Sequence, residues 1–166
     1  MKLSAADYMT LSRIPLAIVF FFFLDNVWVA FGLLLLIILT DVLDGFIARK
    51  MNAVSKLGGS LDPLADKFFI VGTFLVYAIL GQISPLVFFL LIVRDIYSVS
   101  EMIFIHFTNA KVAHKAGVFG KITTTLQFVL IGVLILNLNF VFPLVLLILI
   151  SSLLTIYDYL KKRWFS

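Results

Sequence analysis

The chain has 166 residues, of which 63% are hydrophobic, 15% aromatic and 13% charged, with a net charge of +4 and no cysteine. Its mean hydropathy is +1.16. A soluble domain of this length carries about 25% charged and roughly 45–50% apolar residues, so a water-soluble fold is excluded. The lack of cysteine excludes disulfides, iron–sulfur clusters and thiolate metal sites.

At about 20 apolar residues per crossing the chain has room for six or seven spans, and one membrane domain over 1–166 is the natural expectation. Segment 1–13 is short and mildly amphipathic (Leu3, Tyr8, Met9 and Leu11 among Lys2, Asp7 and Arg13), and is predicted to lie along the membrane interface as a separate helix. Apolar runs follow at 14–24, 27–40, 68–80, 85–105, 118–136 and 141–157. The first of these offers no small-residue cleavage pattern, which argues against a signal peptide. The second and third runs reach membrane length only if polar segments 41–50 and 60–67 continue the same helices. Irregular backbone facing lipid would leave amides unpaired, so each run should be helical. Breaks are expected at Asp25-Asn26, Lys50–Gly59, Gly81–Ser84, Thr108–Gly117 and Asn137–Pro143.

The basic residues are distributed by side. Of thirteen Lys and Arg, all but Arg94 flank the first span, the second-to-third and fourth-to-fifth connections, or the end of the sixth run. The positive-inside rule makes that face cytoplasmic, with both termini inside. The expected fold is therefore an all-α integral membrane protein of six transmembrane helices preceded by a short interfacial helix.

Four of the nine acidic residues fall within 41–66: Asp41, Asp44, Asp62 and Asp66. A carboxylate at bilayer depth costs on the order of 2.5–3.5 kcal/mol, so it needs a partner or a purpose. At about 100° per residue, Asp41, Asp44, Gly45 and Ala48 share an arc of roughly 100° on one helix. Gly58, Asp62 and Asp66 step around by about 40° each on the next. The two stripes are expected to meet near the cytoplasmic surface. Four adjacent carboxylates repel one another strongly unless cations neutralise them. Lys50, Lys56 and Lys67 supply part of that charge, and a hard divalent ion such as Mg²⁺ or Mn²⁺ suits oxygen ligands better. Two such ions about 3.5–4 Å apart are a recurrent device for phosphoryl displacement. The plain alternative is an interhelical Asp–Lys/Arg network that only holds the bundle. Small residues beside the carboxylates exceed what cohesion needs, and leave volume for a ligand.

Read as written, 41–66 gives Asp41-Val-Leu-Asp44-Gly45-Phe-Ile-Ala48-Arg49, eight residues, then Gly58-Gly-Ser-Leu-Asp62-Pro-Leu-Ala-Asp66. This resembles the D-x2-D-G-x2-A-R-x8-G-x3-D-x3-D signature of the CDP-alcohol phosphotransferase family, with every fixed position filled. The resemblance implies a six-helix membrane protein, usually a homodimer, with a two-metal site at the cytoplasmic face of the inner cell membrane. It assigns Asp41, Asp44, Asp62 and Asp66 to the metals, with Asp66 also the general base. Gly45, Ala48 and Gly58 match positions where the CDP moiety lies close to the backbone, and Arg49 meets its phosphates. The implied reaction transfers a phosphatidyl group from CDP-diacylglycerol to an alcohol acceptor and releases CMP.

Thr10, Arg13 and Pro15 resemble an N-terminal element of the phosphatidylglycerophosphate synthase and cardiolipin synthase branch, with Asp7 in place of its usual Asn. Gly120-Lys121-Ile-Thr123-Thr124-Thr-Leu-Gln127 is similar to the G-K-x-K-T-x-x-Q stretch of the glycerophosphate enzymes, with Thr123 replacing the second Lys. Arg94-Asp95 is closer to the R-D pair of cardiolipin synthases. A glycerol-type acceptor is expected, either glycerol-3-phosphate or phosphatidylglycerol, with inositol phosphate or serine as alternatives. Arg94, Lys111, Lys115 and Lys121 are the cations available to it. Each has a plainer reading: Arg94 and Asp95 as a structural ion pair, Lys111 and Lys115 as contacts to anionic headgroups. His106 and His114 have no ligand-spaced partner and read as non-catalytic. Phe20–Phe23 reads as lipid-facing or packing surface, and Asp158 with Lys161–Arg163 as an interfacial anchor. A polyprenyl-transferring synthase needs a larger bundle. A divalent-cation transporter would place its acids at mid-bilayer and show repeated halves. No nucleic-acid partner is expected.

Overall fold

The computed structural model describes the backbone of residues 5–51, 58–108 and 117–164, and side chains at 14–43, 67–100 and 117–161. Among these residues the chain is wholly helical: α1 (Ala5–Phe22), α2 (Val27–Met51), α3 (Gly58–Ile79), α4 (Pro85–Thr108), α5 (Val118–Ile135) and α6 (Val141–Trp164). Two of them are long and apolar enough to cross a membrane, α5 over its full length and α6 over Val141–Lys161. Shorter apolar stretches occupy Val27–Leu43 of α2 and Lys67–Ile79 of α3.

The polar segments 41–50 and 60–67 do continue the helices of the apolar runs they flank. The expectation of a separate interfacial helix is corrected: α1 runs from Ala5 to Phe22 without a break at residue 13, and Pro15 lies inside it. Proline removes one helical hydrogen bond, but its φ of about −65° is helical. No glycine or turn sequence stands nearby to end the helix.

The connections show why the breaks fall where they do. Asn26 caps α2, its Oδ1 accepting from Val29 N at 3.3 Å. Ser84 caps α4 in the same way through Val87 N at 3.3 Å, with Pro85 at the first helical position. Gly81 ends α3 at φ 73°, and Gln82 N donates to Tyr77 O at 3.0 Å while Gly81 N donates to Ala78 O at 3.1 Å. That is a Schellman closure, for which a left-handed residue is needed. Asn137, at φ 51°, closes α5 by the same pair of bonds, Leu138 N to Val133 O and Asn137 N to Leu134 O.

The helices divide into two compact units, 1–76 and 77–166. In the first, the core is aromatic. Phe20 and Phe69 are fully buried and meet edge to face with centroids 5.0 Å apart. Phe21 stacks on Phe69 at 6.3 Å, and sits so close to Gly72 that a Cβ there would lie 2.7 Å from its ring. Of the Phe20–Phe23 run, then, Phe20 packs inward while Phe22 and Phe23 are exposed. On α2, Ala30, Leu34 and Ile37 form the buried stripe.

In the second unit, α6 packs against both α4 and α5. The buried positions of α5 are Gly120, Thr123, Gln127, Leu130, Ile131, Leu134 and Ile135, spaced as one helical face. Thr123 and Gln127 make the first half of that face polar, which in a span of this hydropathy requires internal partners.

Candidate functional site

α2 passes unbroken through Asp41, Asp44, Gly45, Ala48 and Arg49, and α3 begins at Gly58 and carries Asp62 and Asp66. At 1.5 Å per residue, Asp41 and Asp44 are separated by about 4.5 Å along the helix axis, and Asp62 and Asp66 by about 6 Å. The motif thus occupies the end of one helix and the start of the next, with 52–57 linking them. Asp41 is half-buried. The side chains of Asp44, Ala48, Arg49, Asp62 and Asp66 and the surroundings of Gly45 and Gly58 lie outside the described set, as does the predicted meeting of the two stripes. No group of three metal-binding side chains gathers among the described residues. The donor chemistry nevertheless fits a divalent ion: four carboxylates at helical spacing, on helical backbone, with no softer ligand in the motif.

Of the predicted acceptor cations, Lys111 and Lys115 lie outside the described residues, and so do the side chains of His106 and His114. Lys121 is exposed in the first turn of α5. Arg94 is placed quite differently. It is 4% exposed and Asp95 is 2% exposed. Arg94 Nη1 pairs with Asp95 Oδ1 at 2.9 Å and also reaches Thr124 Oγ1 at 3.4 Å. Arg94 Nη2 donates to Gly120 O at 2.9 Å. Gln127 completes the arrangement, its Nε2 donating to Asp95 Oδ2 at 2.7 Å and to Leu91 O at 3.1 Å. A Cβ at Gly120 would stand 2.7 Å from Arg94 Nη2, so a side chain there would displace the guanidinium. The structure therefore favours the ion-pair reading of Arg94 and Asp95, and leaves Lys121 as the exposed cation beside it.

Thr123 bears on the acceptor question. It is fully buried, and its hydroxyl lies within hydrogen-bond distance of Phe119 O at 2.9 Å and Ser151 Oγ at 3.0 Å, with Thr155 Oγ1 at 3.5 Å. Position 123 thus faces α6, and its lack of charge says little about an acceptor. Sequence reasoning passed over Ser151 and Thr155. Their signal was present: hydroxyls four apart in an otherwise apolar run, which in lipid must find partners.

Comparison with known proteins accords with this organisation. The family model for CDP-alcohol phosphatidyltransferase matches residues 3–157. A CDP-diacylglycerol–glycerol-3-phosphate 3-phosphatidyltransferase of Aquifex aeolicus is 35% identical over 139 residues, covering 80% of this chain and 77% of its own. The protein of that name from Bacillus subtilis is 30% identical over 134 residues, 75% of this chain and 68% of its own. A cardiolipin synthase (CMP-forming) of Rattus norvegicus is 34% identical over 104 residues, 61% of this chain and 34% of its own. With a match that spans both units and includes the acidic helix ends, the chain belongs to the CDP-alcohol phosphatidyltransferase family and is a membrane transferase of phospholipid biosynthesis.

Proposed function

We propose that the protein transfers a phosphatidyl group from CDP-diacylglycerol to glycerol-3-phosphate, releasing CMP, at the cytoplasmic face of the inner membrane. The observation that carries this reading is the unbroken helical course of α2 and α3 through all eight motif positions. The names of the Aquifex and Bacillus relatives favour this acceptor.

Asp41, Asp44, Asp62 and Asp66 would hold the divalent ions. Mg²⁺ or Mn²⁺ supplies, when bound, neutralisation of the pyrophosphate charge. Gly45, Ala48 and Gly58 leave room for the cytidine diphosphate beside the backbone, and Arg49 meets its phosphates as a bidentate donor. Asp66 takes the proton from the acceptor hydroxyl. The freed oxygen attacks the phosphorus joined to diacylglycerol, the bond to the CMP oxygen breaks, and CMP leaves with that electron pair. Lys121, with Lys111 and Lys115, meets the acceptor's phosphate, and Arg94 supports that end of the site from within the protein. Six spans with both termini cytoplasmic, and a homodimer, complete the reading.

Phosphatidylglycerol as acceptor, giving cardiolipin, is the second reading. The Arg-Asp sequence at 94–95, which resembles the pair of cardiolipin synthases, and the rat relative favour it. The test is CMP release by purified protein in vesicles with CDP-diacylglycerol and Mn²⁺, offering glycerol-3-phosphate, phosphatidylglycerol, inositol phosphate and serine in turn. Turnover with glycerol-3-phosphate alone supports the first reading, turnover with phosphatidylglycerol alone the second, and none with any acceptor contradicts both.

A further inference from the structure

We propose that Asp95, Gln127 and Gly120 are positioning residues that clamp Arg94 against the first turn of α5, and so set acceptor affinity through Lys121. The inference rests on the proposed transferase reading, and adds to it the residues that hold the acceptor end in register.

Arg94 and Asp95 are neighbours on α4, where adjacent side chains ordinarily diverge. Here the long arginine stem folds back to meet the carboxylate at 2.9 Å, and the guanidinium continues to Gly120 O on α5. A cation at a helix N-terminus is repelled by the helix dipole. Asp95 offsets that repulsion, and Gln127, further along the same face of α5, holds Asp95 by its second oxygen. α5 is therefore gripped twice by α4, at Gly120 and at Gln127. Lys121 follows Gly120 directly and is exposed.

The clamp is also tight. Gly120 O already accepts from Thr124 Oγ1 at 3.1 Å, and a methyl group at Gly120 would meet Arg94 Nη2 at 2.7 Å and push the guanidinium aside. Gln127 is fully buried with both amide hydrogens committed, so it reaches no substrate itself. Whatever it contributes to acceptor binding passes through the position of the first turn.

The experiment is a double-mutant cycle between Gln127→Met and Lys121→Met, read as Michaelis constants for glycerol-3-phosphate and for CDP-diacylglycerol in vesicles. Gln127→Met removes two hydrogen bonds at nearly constant volume, and raises the acceptor KM about tenfold with kcat within about twofold. The KM for CDP-diacylglycerol stays unchanged. In the Lys121→Met background the same change has little further effect on the acceptor KM, because the clamp acts through Lys121. Should Gln127→Met fail to fold, Gly120→Ala, which keeps every hydrogen-bonding group and displaces only the guanidinium, carries the same cycle. An equal rise in both Michaelis constants, an additive cycle, or no kinetic change in a folded variant overturns the proposal. Wild-type protein inactive with glycerol-3-phosphate but active with phosphatidylglycerol moves the cycle to that acceptor with the same expectation. Wild type inactive with both contradicts the transferase reading and the clamp together.

Discussion

The two units solve the same problem by opposite means. In 1–76 the described core is apolar but for Thr73, whose hydroxyl is spent on Phe69 O of its own helix; it is built on Phe20, Phe69, Phe74 and Ile37, and the four motif aspartates belong to the helix ends. In 77–166 the charged and polar groups are inside: Arg94, Asp95, Thr123, Gln127, Ser151 and Thr155 are all buried and most find one another. Lipid tails are as apolar as leucine, so helices in a membrane gain little by hiding apolar surface and more by close packing and hydrogen bonds. The second unit uses its polar groups as that cement. On the proposed reading the first reserves its carboxylates for ligands, which is how a binding site differs from a structural network.

On that contrast, substitutions at the motif of the first unit should harm turnover with little effect on folding, and those in the polar core of the second should harm folding and leave kcat nearly unchanged. The largest effect is expected at Asp66. Asp66→Asn should lower turnover by about 10²–10⁴-fold, the usual worth of a general base, with binding of CDP-diacylglycerol and thermal unfolding in detergent nearly unchanged. Near-native activity would remove Asp66 from the base role. Next comes Asp95→Leu, which leaves a buried guanidinium uncompensated and should cost about 3–5 kcal/mol of stability. The double change Arg94→Met with Asp95→Leu should recover most of that loss, and thermal unfolding of the three proteins reads both effects. Gly72→Ala forces the Phe21 ring aside and should cost about 1–3 kcal/mol at unchanged KM. The smallest effect is expected at a cap: Ser84→Ala removes one accepted bond at the start of α4 and should cost about 1 kcal/mol.

Much of this was legible in the sequence, for identifiable reasons. Helix positions followed from hydropathy and from turn residues: Asn26, Gly81, Ser84 and Asn137 each stand at an end where their chemistry serves. The extension of α2 past Thr40 and of α3 back to Gly58 followed from membrane length alone. The continuity of α1 was not legible, because a mildly amphipathic segment next to an apolar one reads as two elements when only local polarity is weighed. The acidic motif was plain, since four carboxylates bordering apolar runs are costly without a ligand or a counter-charge. The second unit was harder. Gly120, Thr123 and Gln127 stood out only through their resemblance to a family stretch, and whether such residues face a substrate or another helix depends on tertiary placement. Arg94 illustrates the point: a cation in a span looks like a ligand group until its partners on α5 are known.

The central claim is that carboxylates of α2 and α3 hold divalent ions together, and pulsed electron paramagnetic resonance of Mn²⁺ in the reconstituted protein tests it most directly. The account predicts two bound Mn²⁺ ions per chain that are magnetically coupled, with the coupling lost on either Asp44→Asn or Asp62→Asn. Binding that survives both substitutions, or uncoupled ions whose number depends on residues of only one of the two helices, would contradict it.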